Sequence, residues 1–96
     1  MRLGYFRSIK QKNMSTKEIQ EIIHQMGIFM FRGGQINEGM LIARYNIRDA
    51  RIEYYFIQTA KLEDYKKAKE NHDTSAHQRL GNMIDVNSII RAQLFN

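Results

Sequence analysis

Ninety-six residues with a formal net charge of +5 and neither cysteine nor proline suit one small domain, which buries a modest share of its chain. That composition excludes a disulfide framework, a thiolate zinc site and a cysteine nucleophile. The absence of cysteine makes the chain read as intracellular, and no apolar run reaches the roughly 18 to 20 residues that span a bilayer and no signal-peptide core follows the first cations, so no membrane partner is expected.

The charge is unevenly placed along the chain. Arg2, Arg7, Lys10, Lys12 and Lys17 all precede the first acidic residue, Glu18, and from there onward cations and anions balance. Residues 1–14 therefore read as a basic N-terminal arm. Tyr5 and Phe6 interleave with its cations, a pattern that neutralises phosphates and stacks on bases. Residues 15–96 read as a single helical domain.

In that domain Ser15 and Glu18 make a capping box ahead of "TKEIQEIIHQMGIFMF", which predicts a helix with Ile19, Ile22, Ile23 and Met26 on its buried stripe and Phe29 or Met30 extending it. Gly33 and Gly34 end that segment. The next stretch, "EGMLIARYNIRDARIEYY" from Glu38 to Tyr55, admits two readings. As a β-hairpin it would use the aromatic and β-branched run "ARIEYYFIQT" as a strand. As helices, Asn37 caps a short segment with Leu41 and Tyr45 on one face, Asn46 takes the left-handed stop, and Ile47 plugs inward. Asp49 then caps a second helix whose Ile52 and Tyr55 face the same core, leaving Arg48, Arg51 and Tyr54 outside. Apolar residues at all the required places favour the helices.

The segment "LIARYNIRDARIEYY" resembles the core of the helix-turn-helix DNA-binding superfamily, with Leu41, Tyr45, Ile47, Ile52 and Tyr55 at its apolar positions and Asn46 where that family commonly has glycine. Two residues depart from the family pattern: Ile42 stands for a small residue, and Arg48 for a hydroxyl cap. The expected fold class is accordingly mainly α, a small helix-turn-helix domain at 38–56 with additional C-terminal helices; the alternative is α+β with a β-hairpin at 40–59. The resemblance implies a second helix in the major groove, with Arg48 and Arg51 reading base edges and Asp49 capping the helix and excluding wrong bases. Arg44, Tyr54 and the arm residues Arg2, Arg7, Lys10 and Lys12 would contact phosphate or the neighbouring minor groove.

Further along, "AKLEDYKKAKEN" predicts a helix with Leu62, Tyr65 and Lys69 on one side, and "HDTSAHQRLGN" a polar turn. Asp85 is placed to cap a helix over "VNSIIRAQLF", where Val86, Ile89, Ile90 and Leu94 form an apolar stripe. Such a terminal helix, at 85–95, would pair two copies into a homodimer on paired DNA half-sites. Catalytic patterns are sparse. Glu21 and His24 have Glu-x-x-His spacing without the further carboxylates a metal site needs, and His72 and His77 sit in a polar loop without a nucleophile partner. "MRLGYFRS" resembles the first strand of serine recombinases at Gly4, Tyr5 and Arg7, but Ile9 occupies the nucleophile's place. The expected function is therefore non-enzymatic, with no cofactor and no metal: a small protein that binds duplex DNA as a transcriptional regulator or an accessory factor of a mobile or replicating element. The alternative, motivated by Met, Tyr and Phe beside a charge-neutral body, is a protein–protein interaction subunit or inhibitor.

Overall fold

Ser15 Oγ accepts from the Glu18 N–H at 3.1 Å, and the Glu18 carboxylate accepts from the Ser15 N–H at 3.0 Å. These reciprocal bonds satisfy two of the donors that a helix start leaves open, and α1 follows at Thr16–Ile22. The computed structural model describes residues 6–8 and 15–95. Ahead of α1 lies β1 (Phe6–Ser8), and after it come β2 (Met26–Phe31), β3 (Ile36–Asn46), β4 (Arg51–Gln58), α2 (Thr59–Glu70), α3 (Ala76–Leu80), β5 (Asn82–Ile84), a 3₁₀ turn (Val86–Ser88) and β6 (Ile89–Leu94). The strands form an antiparallel sheet in the order β1-β6-β2-β3-β4-β5. The mainly α expectation is therefore corrected: a sheet dominates, flanked by three short helices.

The correction begins where α1 ends. Ile23 leaves the helix in an extended conformation, His24 adopts φ 61, and its N–H donates to the Leu41 carbonyl at 2.7 Å. "MGIFMF" then runs as β2, not as a continuation of the helix. Glu21 and His24 consequently do not share a helical face. Gly33 and Gly34 do break the segment, at φ 95 and φ 90 in the turn between β2 and β3.

Over residues 54–57 strand β4 is covered on both faces, which explains the unbroken apolar run there. On one face Leu41 and Phe56 join Phe29, Phe31, Ala92 and Leu94 in a core closed by Ile19 and Ile22 of α1 and by Ile23 just after it. On the other, Ile42, Tyr55 and Ile57 pack under Leu62 and Tyr65 of α2 and Ala76 of α3. A β-bulge in β6 keeps its apolar residues together: Arg91 pairs with Met30 but Ile89 with Phe31, so Ile90 is the extra residue and Ile89 and Ala92 share a face.

The sheet is strongly curled. Three strands lie between β5 and β6, a separation of about 19 Å in a flat sheet, yet only Asp85–Ser88 joins them. Ile84 of the edge strand β5 and Val86 reach the same core as Ile89 of β6, four strand positions away, and the Arg32 N–H donates to the Ser88 carbonyl at 2.7 Å. Asp85 does cap, but only the 3₁₀ turn, accepting from the Asn87 N–H at 2.9 Å. The expected helix at 85–95 is instead this turn and β6. Because β6 is paired on both edges, to β1 and β2, no amphipathic helix is available there for the expected homodimer. No helix among the described residues is long and apolar enough to cross a membrane.

Candidate functional site

The stretch read as helix-turn-helix is the β3–β4 hairpin. Pairing is regular from Gly39 opposite Gln58 to Asn46 opposite Arg51, and Ile47–Ala50 form the connecting turn. Asn46 organises that turn with its side chain: Oδ1 accepts from the Asp49 N–H at 3.1 Å, and Nδ2 donates to Glu53 at 3.0 Å and to Asp49 at 3.3 Å. An asparagine side chain standing in for backbone partners is a common way to close a tight loop. Asp49 thus serves a turn rather than capping a recognition helix.

The hairpin sorts its side chains by alternation. Ala43, Tyr45, Ile52 and Tyr54 share the face of the α1 core, while Arg44, Asn46, Arg51, Glu53 and Tyr55 share the α2–α3 face. Beyond the last covering helix the α1 face continues into water. Tyr45 and Ile52 stand directly opposite each other at 62% and 55% exposure, and Ile47 in the turn is 84% exposed. The helical reading placed these three in the core together with Leu41 and Tyr55, and only Leu41 and Tyr55 are buried. Tyr54, expected outside, is half-buried against the core, on the opposite face from Arg44 and Arg51. The hairpin alternative at 40–59 does not single out these three residues either; the turn that exposes Ile47 spans 47–50.

Beside this end the sheet edge is open. Strand β5 pairs only with Tyr54–Phe56, so among the described residues the outer edge of Arg51–Glu53 has no strand against it. A cleft of about 440 Å³ runs along that edge, lined by Ile52, Tyr54, Met83, Ile84 and Val86 among others. Unpaired edges next to apolar side chains are the places where another chain adds a strand.

Charge on the hairpin is mostly internally matched. Glu53 accepts from Asn46 at 3.0 Å, from the Tyr55 hydroxyl at 3.1 Å and from Arg51 at 3.3 Å. These donors, Asn46 foremost, hold its carboxyl below the usual glutamate range. Arg51 also lies 3.9 Å from Asp49. Arg48 is exposed in the turn, and Arg44 points toward His77 and the α2–α3 turn. Burial of the His77 imidazole, with Arg44 adding to it, lowers its pKa; its ring meets that of Tyr55 edge-on at 4.7 Å. Of the arm residues expected to contact phosphate, Arg2, Lys10 and Lys12 lie outside the described residues, and Arg7 is on β1 opposite Ala92. No cluster of His, Asp or Glu suited to a metal ion occurs among the described residues.

Comparison with known proteins adds no relative. No protein-family model, curated protein or solved structure matches this chain. The functional reading therefore rests on the geometry of the hairpin end and its surroundings.

Proposed function

We propose that this chain is a non-enzymatic protein-interaction module that takes an extended segment of a partner along the open edge of β4. The observation that carries this reading is the coincidence of Ile52 and Tyr45, exposed side by side, with an edge that β5 leaves unpaired at Arg51–Glu53. An added strand would gain main-chain hydrogen bonds from the edge. Its alternate side chains would cover Ile52 and enter the apolar cleft beside Tyr54 and Val86. Burying a side chain of this size contributes about 1.5–3 kcal/mol, part of which offsets the cost of association, so two or three such contacts plus the ladder fit weak, reversible binding.

Selection from a random peptide library on the intact chain tests the proposal. Recovered peptides are expected to carry apolar residues at alternate positions. Ile52→Asp should weaken their binding by more than about tenfold while lowering stability by only about 1 kcal/mol, the cost of a poor strand former and of the lost cross-strand contact with Tyr45. Selected peptides that bind the Ile52→Asp protein as well as the original would overturn this assignment.

A second reading keeps nucleic acid as the partner without a recognition helix. It is favoured by Arg48, which is exposed and for which neither a hydrogen bond nor an ion pair occurs among the described residues, since two-stranded ribbons also enter DNA grooves. Retention of duplex DNA at low salt that disappears in Arg48→Ala would support this reading over strand addition.

A further inference from the structure

The cleft between β3 and the α2–α3 turn holds positive charge that the docking edge does not use. It encloses about 210 Å³ and is lined by Arg44 of β3, Lys69 of the last turn of α2, and His72, Asp73 and Thr74. The one carboxylate is already engaged. Asp73 Oδ1 accepts from the Ser75 N–H and the Ser75 hydroxyl, each at 2.9 Å, and Oδ2 accepts from Arg79. These donors, the Ser75 N–H first, hold the Asp73 carboxyl below its ordinary range.

Arg44 has no such match. It is half-buried, and its cross-strand neighbour is Glu53, but Glu53 takes Asn46, Arg51 and Tyr55 instead. Among the described residues Arg44 forms neither a hydrogen bond nor an ion pair. A partly desolvated guanidinium without a counter-ion is unfavourable, and an anion relieves it. The neighbours register that field. Arg44 adds to the burial that lowers the His77 imidazole, and it opposes the burial that raises the Tyr65 hydroxyl.

The turn that closes the cleft also places a side chain where glycine is the usual choice. The His72 N–H donates to the Lys69 carbonyl at 3.0 Å and the Asp73 N–H to the Ala68 carbonyl at 2.9 Å, which is the Schellman arrangement. His72 takes its left-handed position at φ 60, so an imidazole stands at the cleft in place of a bare backbone.

We infer that this cleft binds a phosphate group, held between the Arg44 guanidinium and the Lys69 ammonium, with the Thr74 hydroxyl and the His72 ring as further donors. The volume holds one tetrahedral oxyanion with a few waters, at about 30 Å³ per water. Guanidinium and ammonium groups are the two cations best suited to phosphate, one as a fork and one as a point charge. The site lies on the α2–α3 side of the hairpin and is independent of the docking edge.

Calorimetric titration of inorganic phosphate into the intact chain at low salt tests the inference, with a phosphomonoester titrated in parallel. A saturable single site is expected, at a dissociation constant of about 1 mM or tighter. Arg44→Gln should weaken it by at least about tenfold, whereas Arg48→Gln, on the same hairpin, should change it by less than about twofold. Arg44→Gln and bound phosphate should each raise the titration midpoint of His77, because each removes or screens the Arg44 charge. Lys69→Gln, on an exposed helix surface, provides a second variant if Arg44→Gln fails to fold. Binding of the monoester as well as of free phosphate assigns the group to a larger ligand; binding of free phosphate alone assigns the anion itself. Absence of saturable heat, or equal losses in Arg44→Gln and Arg48→Gln, would overturn the site. Retention of an oligonucleotide with no response to phosphate would also overturn it.

Discussion

Gly39→Ala is expected to cost about 3 kcal/mol or more, lowering the thermal midpoint by about 12 °C or more for a domain of this size. Gly39 faces Gly27 across β2 and β3, and both meet neighbouring backbone. A Cβ on Gly39 would overlap the Ile57 carbonyl oxygen, and one on Gly27 would come within 2.6 Å of the Gln93 carbonyl oxygen. A backbone atom in the middle of a paired strand cannot swing aside as a side-chain tip can, so the sheet itself must move. Gly33→Ala is the informative comparison. Its site is open but at φ 95, so only left-handed strain of about 1 kcal/mol is added. Thermal unfolding followed by circular dichroism separates the two, and equal losses would contradict the close approach at Gly39.

Phe56→Ala is expected to destabilise by about 4 kcal/mol. The ring of Phe56 is buried and meets Phe29 edge-on at 5.3 Å and Phe31 at 5.5 Å. Each such pair adds about 0.5–1.5 kcal/mol beyond burial. The two partners come from β2, so one truncation loosens the tie between the hairpin and the strand that carries β6. Phe56→Leu keeps most of the volume and should cost less than about 2 kcal/mol. Denaturant titration of both variants checks the order, and a Phe56→Ala loss under about 1 kcal/mol would show that the core is not centred here.

Local signals in the sequence located the capping box, the glycine break and α2 because each depends on residues within a turn of one another. The sheet was harder to read for three physical reasons. Leu41 and Tyr45 are four apart, a spacing that puts side chains on one face of a helix and equally on one face of a strand. Strands such as "MGIFMF" and "RIEYYFIQ" are apolar on both sides because helices cover parts of both sheet faces, so the alternation that marks a half-exposed strand is absent. In β6 the bulge at Ile90 spaces Ile89 and Ala92 as a helix would.

The site followed the fold. Arg44, Arg48, Asp49 and Arg51 do lie together on one hairpin, but the helical pattern reversed its apolar half, hiding Tyr45, Ile47 and Ile52 and exposing Tyr54. The strand alternative separates those residues correctly once both faces are considered, because Ile52 and Tyr55, three apart, fall on opposite sides. Lys69, His72 and Thr74 were beyond reach of sequence reasoning. Their meeting with Arg44 depends on α2 folding back across β3.

The apolar residues at the end of the β3–β4 hairpin, Tyr45, Ile47 and Ile52, stand in water, and Ile47 is the most exposed of them. Equilibrium unfolding of Ile47→Asp in denaturant measures the role of this residue in the folded chain. With Ile47 84% exposed, the predicted stability lies within about 0.5 kcal/mol of the original chain. A loss of about 3 kcal/mol, the cost of placing an unpaired charge in a core, would mean that Ile47 is buried and would contradict an exposed hairpin end.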